Sequence, residues 1–314
     1  MKSRAALATA SHLPPHAAQW AYIPLISLLW GMNWPTQGLA LREIPPWTLR
    51  AFILGTAGLI LLIVNLLKGE SLRVRRADWS VMIVFTLLYI VVQNLLISFA
   101  QLLAPSGRMA IVTFTMPIWT TLLAAVLLHE PLTRSRVVSL VFGAAGLIAL
   151  AWPAIHTGTH VGWVLALGAA WCWAFSVILI KRFPIRVPAL PLAAWQLMIG
   201  GVIMSVGMLL FEGSPLGRTM STAALLAVLY NILSQAVSQV LWFSTLDRLP
   251  AALASLGVLL VPTVAVLGSM LILHEQPSWL DGVGLVLITC ASATVQYPSI
   301  SEWFRERRPG YPRI

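Results

Sequence analysis

The amino-acid sequence predicts an all-α membrane protein with ten transmembrane helices, arranged as two inverted five-helix repeats. Of its 314 residues, 59% are hydrophobic and only 10% are charged. An average soluble domain has about 25% charged residues. The chain instead contains about ten apolar runs, and a run of roughly 20 residues crosses a hydrocarbon core of about 30 Å. Composition therefore predicts integration into a membrane.

The predicted spans are separated by short polar or proline-containing links. We expect them at residues 20–40, 46–67, 79–102, 105–128, 133–152, 161–180, 190–211, 222–246, 250–273 and 278–297. This leaves little room for a soluble domain. The domain plan is a cytoplasmic tail at 1–19, a first repeat at 20–153, a second, inverted repeat at 161–298 and a basic cytoplasmic tail at 299–314.

The two halves repeat with a spacing of 145 residues and without a gap. The matched positions are Pro46 with Pro191, Pro105 with Pro250, Pro117 with Pro262, His129-Glu130 with His274-Glu275, and Trp152-Pro153 with Tyr297-Pro298. Because each copy holds five spans, an odd number, the second copy enters the bilayer upside down. Inverted repeats around a midplane site are the architecture of secondary transporters. The repeat thus predicts transport by alternating access.

The net charge of +10 follows membrane topology. Basic residues concentrate in cytoplasmic loops of membrane proteins, where anionic lipid headgroups are their natural partners. We therefore place both termini in the cytoplasm, expect a bacterial inner-membrane protein, and expect no nucleic-acid partner. In this topology the cytoplasmic side holds 16 of the 20 basic residues: Lys2, Arg4, Lys68, Arg73, Arg75, Arg76, Arg134, Arg136, Lys181, Arg182, Arg186, Arg248, Arg305, Arg307, Arg308 and Arg313.

Two predicted spans, the third and the eighth, carry polar stripes. Residues four apart share one face of a helix, and polar side chains inside a bilayer face a cavity or another helix. The stripes predict a central substrate pathway, and their alternative role is hydrogen bonding between helices. They comprise Tyr89, Gln93 and Asn94 in the third span, and Tyr230, Ser234, Gln235, Ser238, Gln239 and Trp242 in the eighth.

The first and sixth spans place polar groups among indole rings. Trp30, Asn33 and Trp34 lie in the first span, and Trp173 and Ser176 lie in the sixth. Such a slot suits a planar apolar ligand with an amino-acid head. Core packing is the alternative role of these tryptophans. With the two polar stripes, these five residues complete the predicted substrate-binding set.

Three further features have two interpretations each. Pro117 and Pro262 each remove a helical hydrogen bond, which produces either a gating hinge or a static bend. Arg50 would either bind a substrate carboxylate or extend to the outer headgroups or a salt bridge, and we expect the latter. The His129-Glu130 and His274-Glu275 pairs would either couple protons or end their helices on polar contacts, and we expect the latter.

Catalytic and metal-binding patterns do not occur in this sequence. The His-Glu pairs lack the second histidine of a zinc motif, since Thr133 and Ser278 occupy its place. No span carries Asp or Glu near its middle, and no phosphate-binding glycine loop is present. We expect no catalytic residue, no metal and no cofactor, and we expect a functional monomer.

The segments Leu-Leu-Trp-Gly-Met-Asn-Trp at 28–34 and Leu-Arg-Ala-Phe at 49–52, with the repeated Pro…His-Glu blocks, resemble the EamA family of the drug/metabolite transporter superfamily. The resemblance covers 20–298 and implies two inverted five-helix repeats. The chain most resembles bacterial aromatic amino-acid exporters, which implies efflux of aromatic and other neutral amino acids. Trp195 replaces Arg50 in the second half. Export of a purine, a sugar phosphate or a cationic compound remains an alternative, as do an intramembrane enzyme and a receptor.

Overall fold

A computed structural model describes residues 17–130, 132–157, 160–214, 219–246 and 256–306, and all regular secondary structure in those ranges is helical. The predicted tail at 1–19 lies mostly outside the described residues, as does Pro250. The long helices are α1 (Ala17–Ala40), α2 (Pro46–Lys68), α3 (Arg76–Leu103), α4 (Ser106–Leu127), α5 (Arg134–Thr157), α6 (His160–Arg182), α7 (Ala189–Glu212), α8 (Thr222–Leu246), α9 (Leu256–Ile272) and α10 (Trp279–Glu306).

Six of these helices are long and apolar enough, within the described residues, to cross a membrane: α2, α3, α4, α6, α7 and α8. Shorter apolar helices occupy Leu260–Ile272 in α9 and Trp279–Thr294 in α10. Large apolar side chains cover the outside of the bundle, as Leu67 (83% exposed) and Phe211 (70% exposed) illustrate. An apolar surface of this kind fits a lipid environment. The full ten-span topology stays a prediction.

The helices pack in pairs that correspond between the halves. Helix α1 packs against α8 and α9, and the equivalent helix α6 packs against α3 and α4. The other main contacts join α2 to its counterpart α7 and α5 to its counterpart α10. Exchanging the two halves therefore converts each of these contacts into another one that is present. The 145-residue repeat of the sequence is a repeat of the fold.

The counterpart helices run antiparallel where they meet. In the α2–α7 pair, Gly201 lies against Gly55, so that a Cβ on Gly201 would come within 2.5 Å of the Cα of Gly55. At the far end, the ring of Trp47 fills the space beside Gly207. Residue numbers thus rise along α2 as they fall along α7. In the α5–α10 pair, Gly146 lies against Ile288 and Gly284 against Leu150, which gives the same antiparallel order.

The helix ends of α4 and α9 match down to single hydrogen bonds. The amides of Leu128 and Glu130 both donate to Ala124, and those of Leu273 and Glu275 both donate to Ser269. In each case the intervening histidine has a left-handed backbone, with φ of 55° at position 129 and 57° at 274. Histidine adopts this region more readily than most residues. The expectation that the His-Glu pairs follow the ends of their helices is confirmed.

Two carboxylates cap helices of the opposite half. The first amides of a helix lack acceptors within the helix. Glu212, at the end of α7, accepts from the amides of Trp47 (2.9 Å) and Thr48 (2.7 Å) at the start of α2. Glu275 does the same at the start of α4, where no side chain of the preceding residue serves as a cap. Both contacts join the two repeats.

Candidate functional site

A cavity of about 90 Å³ lies between the two halves. Because one water molecule needs roughly 10–15 Å³ by this measure, the space holds several waters or a small solute group. Helices α1 to α4 contribute from the first half, and α6 and α8 from the second. Its lining consists of Trp30, Asn33, Trp34, Gln37, Arg50, Tyr89, Gln93, Asn94, Ile97, Thr113, Phe114, Trp173, Gln235 and Gln239.

Most of the residues predicted to bind substrate converge on this cavity. The predicted residues that line it are Trp30, Asn33, Trp34, Tyr89, Gln93, Asn94, Trp173, Gln235 and Gln239. They come from four different helices, and the two halves meet directly here, since the ring of Tyr89 in α3 packs against that of Trp173 in α6 with centroids 6.1 Å apart. These predicted residues therefore share one cavity that both repeats line, and substrate binding by them stays a prediction.

Five other predicted site residues contact helices instead of the cavity. Tyr230 (3.1 Å) and Ser234 (3.0 Å) both donate to the carbonyl of Leu29 in α1. Ser238 donates to the carbonyl of Ser234 at 2.5 Å, and Ser176 donates to that of Trp173 at 2.7 Å. For these four residues, the structure shows hydrogen bonding within and between helices. Trp242, the fifth, packs against the ring of Trp30 with centroids 5.4 Å apart.

One wall of the cavity is a cluster of aromatic rings. Trp173 is at its centre, with ring centroids 6.3 Å from Trp30, 6.1 Å from Tyr89 and 5.4 Å from Phe114. Edge-to-face and tilted pairs at these distances are favourable. Trp34 also packs on Phe114, at 6.4 Å. The indole rings of α1 and α6 thus both fill the core and line the cavity, so the two sequence interpretations are not exclusive.

Five lining residues lie outside the predicted substrate-binding set: Gln37, Arg50, Ile97, Thr113 and Phe114. Gln37 follows Asn33 by one helical turn, so the helical spacing used for α3 and α8 would have found it. Arg50 was expected to extend to the outer headgroups or a salt bridge, and that expectation is wrong. Only 4% of Arg50 is exposed, and its partners are neutral.

The guanidinium of Arg50 is held from two sides. Its Nε donates to the hydroxyl of Ser98 at 2.8 Å, and its Nη2 donates to the Oε1 of Gln37 at 2.6 Å. The Nε2 of Gln37 donates in turn to Ser98 at 3.1 Å, and Ser98 donates to the carbonyl of Asn94. These contacts fix the guanidinium plane at the edge of the cavity. Arg50 has no carboxylate partner among the residues that the structure describes.

Two buried polar atoms in the lining lack a hydrogen-bond partner among the described residues. They are the Oδ1 of Asn33 and the Oγ1 of Thr113. Buried polar groups in native proteins are nearly always hydrogen-bonded, and each exception requires an explanation. Both atoms belong to residues that line the cavity, so a bound solute or water would supply their missing hydrogen bonds.

Irregular backbone lies beside the cavity in α3 and α4. Residues Leu87–Val92 of α3 form a π-helical turn that carries Tyr89, and such turns are frequent at functional sites. Helix α4 is interrupted by a turn at residues 114–115 and resumes at Met116, directly before Pro117. Pro262 instead lies inside the unbroken α9. The two matched prolines therefore have different local structures, and their gating role stays a prediction.

Ion pairs lie beyond both ends of the cavity. At the start of α4, Arg108 forms a bidentate pair with Asp281 of α10, at 2.7 and 2.8 Å. At the other end of α4, Glu130 binds Lys181 at the end of α6 and Arg136 of α5. The pKa of the Glu130 carboxyl lies below its ordinary value. The hydrogen bond from Lys181 is the main cause, and the hydrogen bond from Arg136 contributes.

The paired helices and a cavity lined by both halves define a membrane transporter built from repeats. The chain belongs to the EamA-like transporter family, whose model matches residues 20–152 and 160–296. The two matched segments coincide with the two repeats, which confirms the family resemblance of the sequence. The family and the relatives described next place the chain in the bacterial inner membrane as a multi-pass protein.

Several relatives match along most of their length. The chain is 25% identical to the uncharacterized transporter YoaV of Bacillus subtilis, over 84% of this chain and 92% of that one. It is 25% identical to a probable amino-acid metabolite efflux pump of Escherichia coli (84% and 90%), and 26% identical to the uncharacterized inner membrane transporter YedA of Escherichia coli (85% and 87%). A crystal structure 21% identical in sequence shares the fold with a TM-score of 0.64, covering 92% of this chain and 99% of that one.

Proposed function

We propose that this protein exports amino acids, aromatic and other neutral ones, through the cavity between its repeats. The observation that carries the proposal is the lining itself, which combines a cluster of indole and phenyl rings with amide side chains and one cation. Aromatic rings bury a planar apolar side chain, and the polar groups hydrogen-bond an amino-acid head. The similarity to a probable amino-acid metabolite efflux pump supports the same solute class.

The proposal includes the ten-span topology, with inverted repeats and both termini in the cytoplasm. The antiparallel packing of α2 on α7 and of α5 on α10 supports the inversion. The concentration of Lys and Arg in one set of loops supports the orientation. In this topology the Arg108–Asp281 pair is at the periplasmic end of the cavity, and the Glu130–Lys181 pair is at the cytoplasmic end.

Alternating access follows from the difference between those two ends. Glu130 and Glu275 occupy equivalent positions in the repeats, but their contacts differ. Glu275 caps the start of α4, whereas Glu130 binds Lys181 and Arg136. Inverted repeats that adopt two unequal arrangements produce a transporter closed on one side, and exchanging the arrangements opens the other side.

The charges of the cavity favour this solute class over the alternatives. A sugar phosphate calls for several basic groups, and Arg50 is the single basic residue among the lining residues described. A cationic compound calls for a carboxylate, and the same lining contains neither Asp nor Glu. We propose a monomer surrounded by anionic lipids, with transport rather than catalysis as its activity.

Counterflow in proteoliposomes tests the proposal. Vesicles loaded with unlabelled L-phenylalanine or L-tryptophan should accumulate the labelled amino acid transiently, and protein-free vesicles should not. Since no mid-span carboxylate is available as a proton carrier, counterflow should not require a pH gradient. Counterflow of a purine or a sugar phosphate, with none of either amino acid, would contradict the proposed solute class.

A further inference from the structure

We propose that Arg50 is the anchor for the carboxylate of the transported solute, with Asn33 accepting from its ammonium group. This inference rests on the proposed function for the solute class, and it adds a selection rule. The cavity takes solutes that carry a carboxylate, and it discriminates against aromatic amines of the same size.

Arg50 is a buried charge with no ion-pair partner among the described residues. Removing an ion from water is costly unless an opposite charge or a full set of hydrogen bonds compensates it. Arg50 is 96% buried by residue, yet its two partners, Gln37 and Ser98, are neutral. The described ion pairs all involve other basic residues, as Asp281 pairs with Arg108. The cavity beside Arg50 is therefore the place where a compensating anion binds.

The guanidinium of Arg50 is already oriented by its neighbours. Arginine has five N–H donors in a planar fork that matches a carboxylate bidentately. Gln37 and Ser98 each take one of these donors, and they also bond to each other. The remaining donors have no acceptor among the described residues. The neighbours thus orient the fork before a ligand arrives, and pre-organisation of this kind increases affinity.

Asn33 in α1 provides the same cavity with an acceptor that is unpaired among the described residues. The Oδ1 of Asn33 is buried and has no donor among the residues the structure describes. It lines the same cavity as Arg50. The carboxylate of an amino acid accepts from Arg50, and its ammonium group donates to Asn33. The side chain of the amino acid then faces the rings of Trp30 and Trp173. A single zwitterionic head therefore satisfies both unpaired groups.

The site is confined to one repeat. At the position equivalent to Arg50, the second half has Trp195, whose indole Nε1 donates to the carbonyl of Leu72 at 2.9 Å. The second half supplies the amides of Gln235 and Gln239 to the cavity instead. The geometry thus provides one carboxylate site for each protein chain, which fixes the orientation of the solute head toward α2.

Calorimetric titration of the full-length protein in lipid nanodiscs tests the anchor. The probes are L-phenylalanine, 3-phenylpropionate, which lacks the ammonium group, and 2-phenylethylamine, which lacks the carboxylate. We expect 2-phenylethylamine to bind roughly 10- to 150-fold more weakly than L-phenylalanine, the loss typical of a charge-assisted hydrogen bond. This comparison uses the wild-type protein and does not depend on any variant folding.

Variants then assign the effect to the residue. Arg50→Gln should weaken the binding of L-phenylalanine by a similar factor and leave the affinity for 2-phenylethylamine unchanged. Arg50→Lys should recover part of the loss, because lysine keeps the charge but not the fork. Arg42→Gln is the matched control, since it removes an exposed arginine from the same region without touching the cavity. Asn33→Ala should weaken the binding of L-phenylalanine but not that of 3-phenylpropionate, because the latter has no ammonium group.

The outcomes separate the anchor from the proposed function. Equal affinities for L-phenylalanine and 2-phenylethylamine, or unchanged L-phenylalanine binding in Arg50→Gln, would overturn the anchor even if amino-acid counterflow is observed. Arg50-dependent binding of 3-phenylpropionate or benzoate without any amino-acid binding would support the anchor and contradict the proposed solute. Wild-type protein that binds none of these carboxylates would overturn the anchor as well.

Discussion

The carboxylate of Glu275 lies 2.6 Å from the backbone nitrogen of Ser106, and its second oxygen lies 2.9 Å from that of Gly107. Glu275 follows the last turn of α9 in the second repeat, and Ser106 begins α4 in the first. The amino end of a helix carries a partial positive charge that favours an anion. One side chain therefore caps a helix and joins the two repeats at the same time.

Replacing Glu275 with Gln should weaken this link. The amide keeps the shape of the side chain but loses the charge, so we expect the free energy of unfolding to fall by about 1 kcal/mol, as for other lost caps. Hydrogen exchange should accelerate at the amides of Ser106 and Gly107. Glu70→Gln is the control, because Glu70 is exposed and caps none of the described helices. Unchanged exchange at both amides would show that the cap is not a structural link.

The glycine contact between α2 and α7 predicts that alanine destabilises the protein more at one of the two glycines than at the other. A Cβ on Gly201 would lie 2.5 Å from the Cα of Gly55, so that the helices must separate. Gly201→Ala should therefore cost about 1–3 kcal/mol, the range for overpacking. Gly55→Ala is the matched control, because its Cβ would lie 4.0 Å from Gly201. Thermal unfolding measures both, and equal melting temperatures would argue against the antiparallel crossing.

Much of this architecture could be predicted from sequence, because its determinants repeat. The 145-residue spacing predicted the paired halves. The four-residue spacing from Tyr89 to Gln93 and from Asn94 to Ser98 predicted which face of α3 meets the other helices. Serine was harder to assign. Ser176 and Ser238 have short side chains that donate to carbonyls one turn earlier in their own helices, a local bond that competes with any cavity contact. Periodicity identifies a polar face, but it does not show which members of that face have a local partner.

The depth of Arg50 could not be predicted for a different reason. Its position near a helix end suggested contact with headgroups, and long side chains there commonly extend to the interface. The partners that draw it inward, Gln37 and Ser98, belong to other helices. The turn that interrupts α4 at residues 114–115 was also missed, since Pro117 and Pro262 read alike in sequence. Tertiary packing decides both cases.

Removing the amide of Gln93 should impair transport without unfolding the protein. Gln93 lines the cavity and is 6% exposed, and we predict that Gln93→Ala abolishes counterflow of L-phenylalanine in proteoliposomes. Gln276→Ala is the control, since this exposed amide lies outside the central cavity. Size-exclusion profiles should match the wild type for both. Wild-type counterflow in Gln93→Ala would remove this residue from the site.

Acid should break the ion pairs of Glu130 with Lys181 and Arg136. Since Lys181 holds the pKa of Glu130 below its ordinary value of 4.5, the folded state binds that proton less readily than the unfolded state. The stabilisation is complete above pH 4.5 and is lost as the pH falls through the lower, folded-state pKa. The difference in melting temperature between the wild type and Glu130→Gln should therefore shrink on acidification below pH 4.5. A difference that stays constant from pH 7 to pH 3 would contradict this assignment.

The central claim is that the solute occupies the cavity between the repeats, and protection of a cavity cysteine tests it most directly. Asn94→Cys, in a background with Cys172→Ala and Cys290→Ala, places one thiol in the lining. The rate of its alkylation by a small water-soluble methanethiosulfonate should fall when L-phenylalanine is added, and should not change with 2-phenylethylamine at the same concentration. A thiol that reacts at the same rate with and without L-phenylalanine would contradict the account.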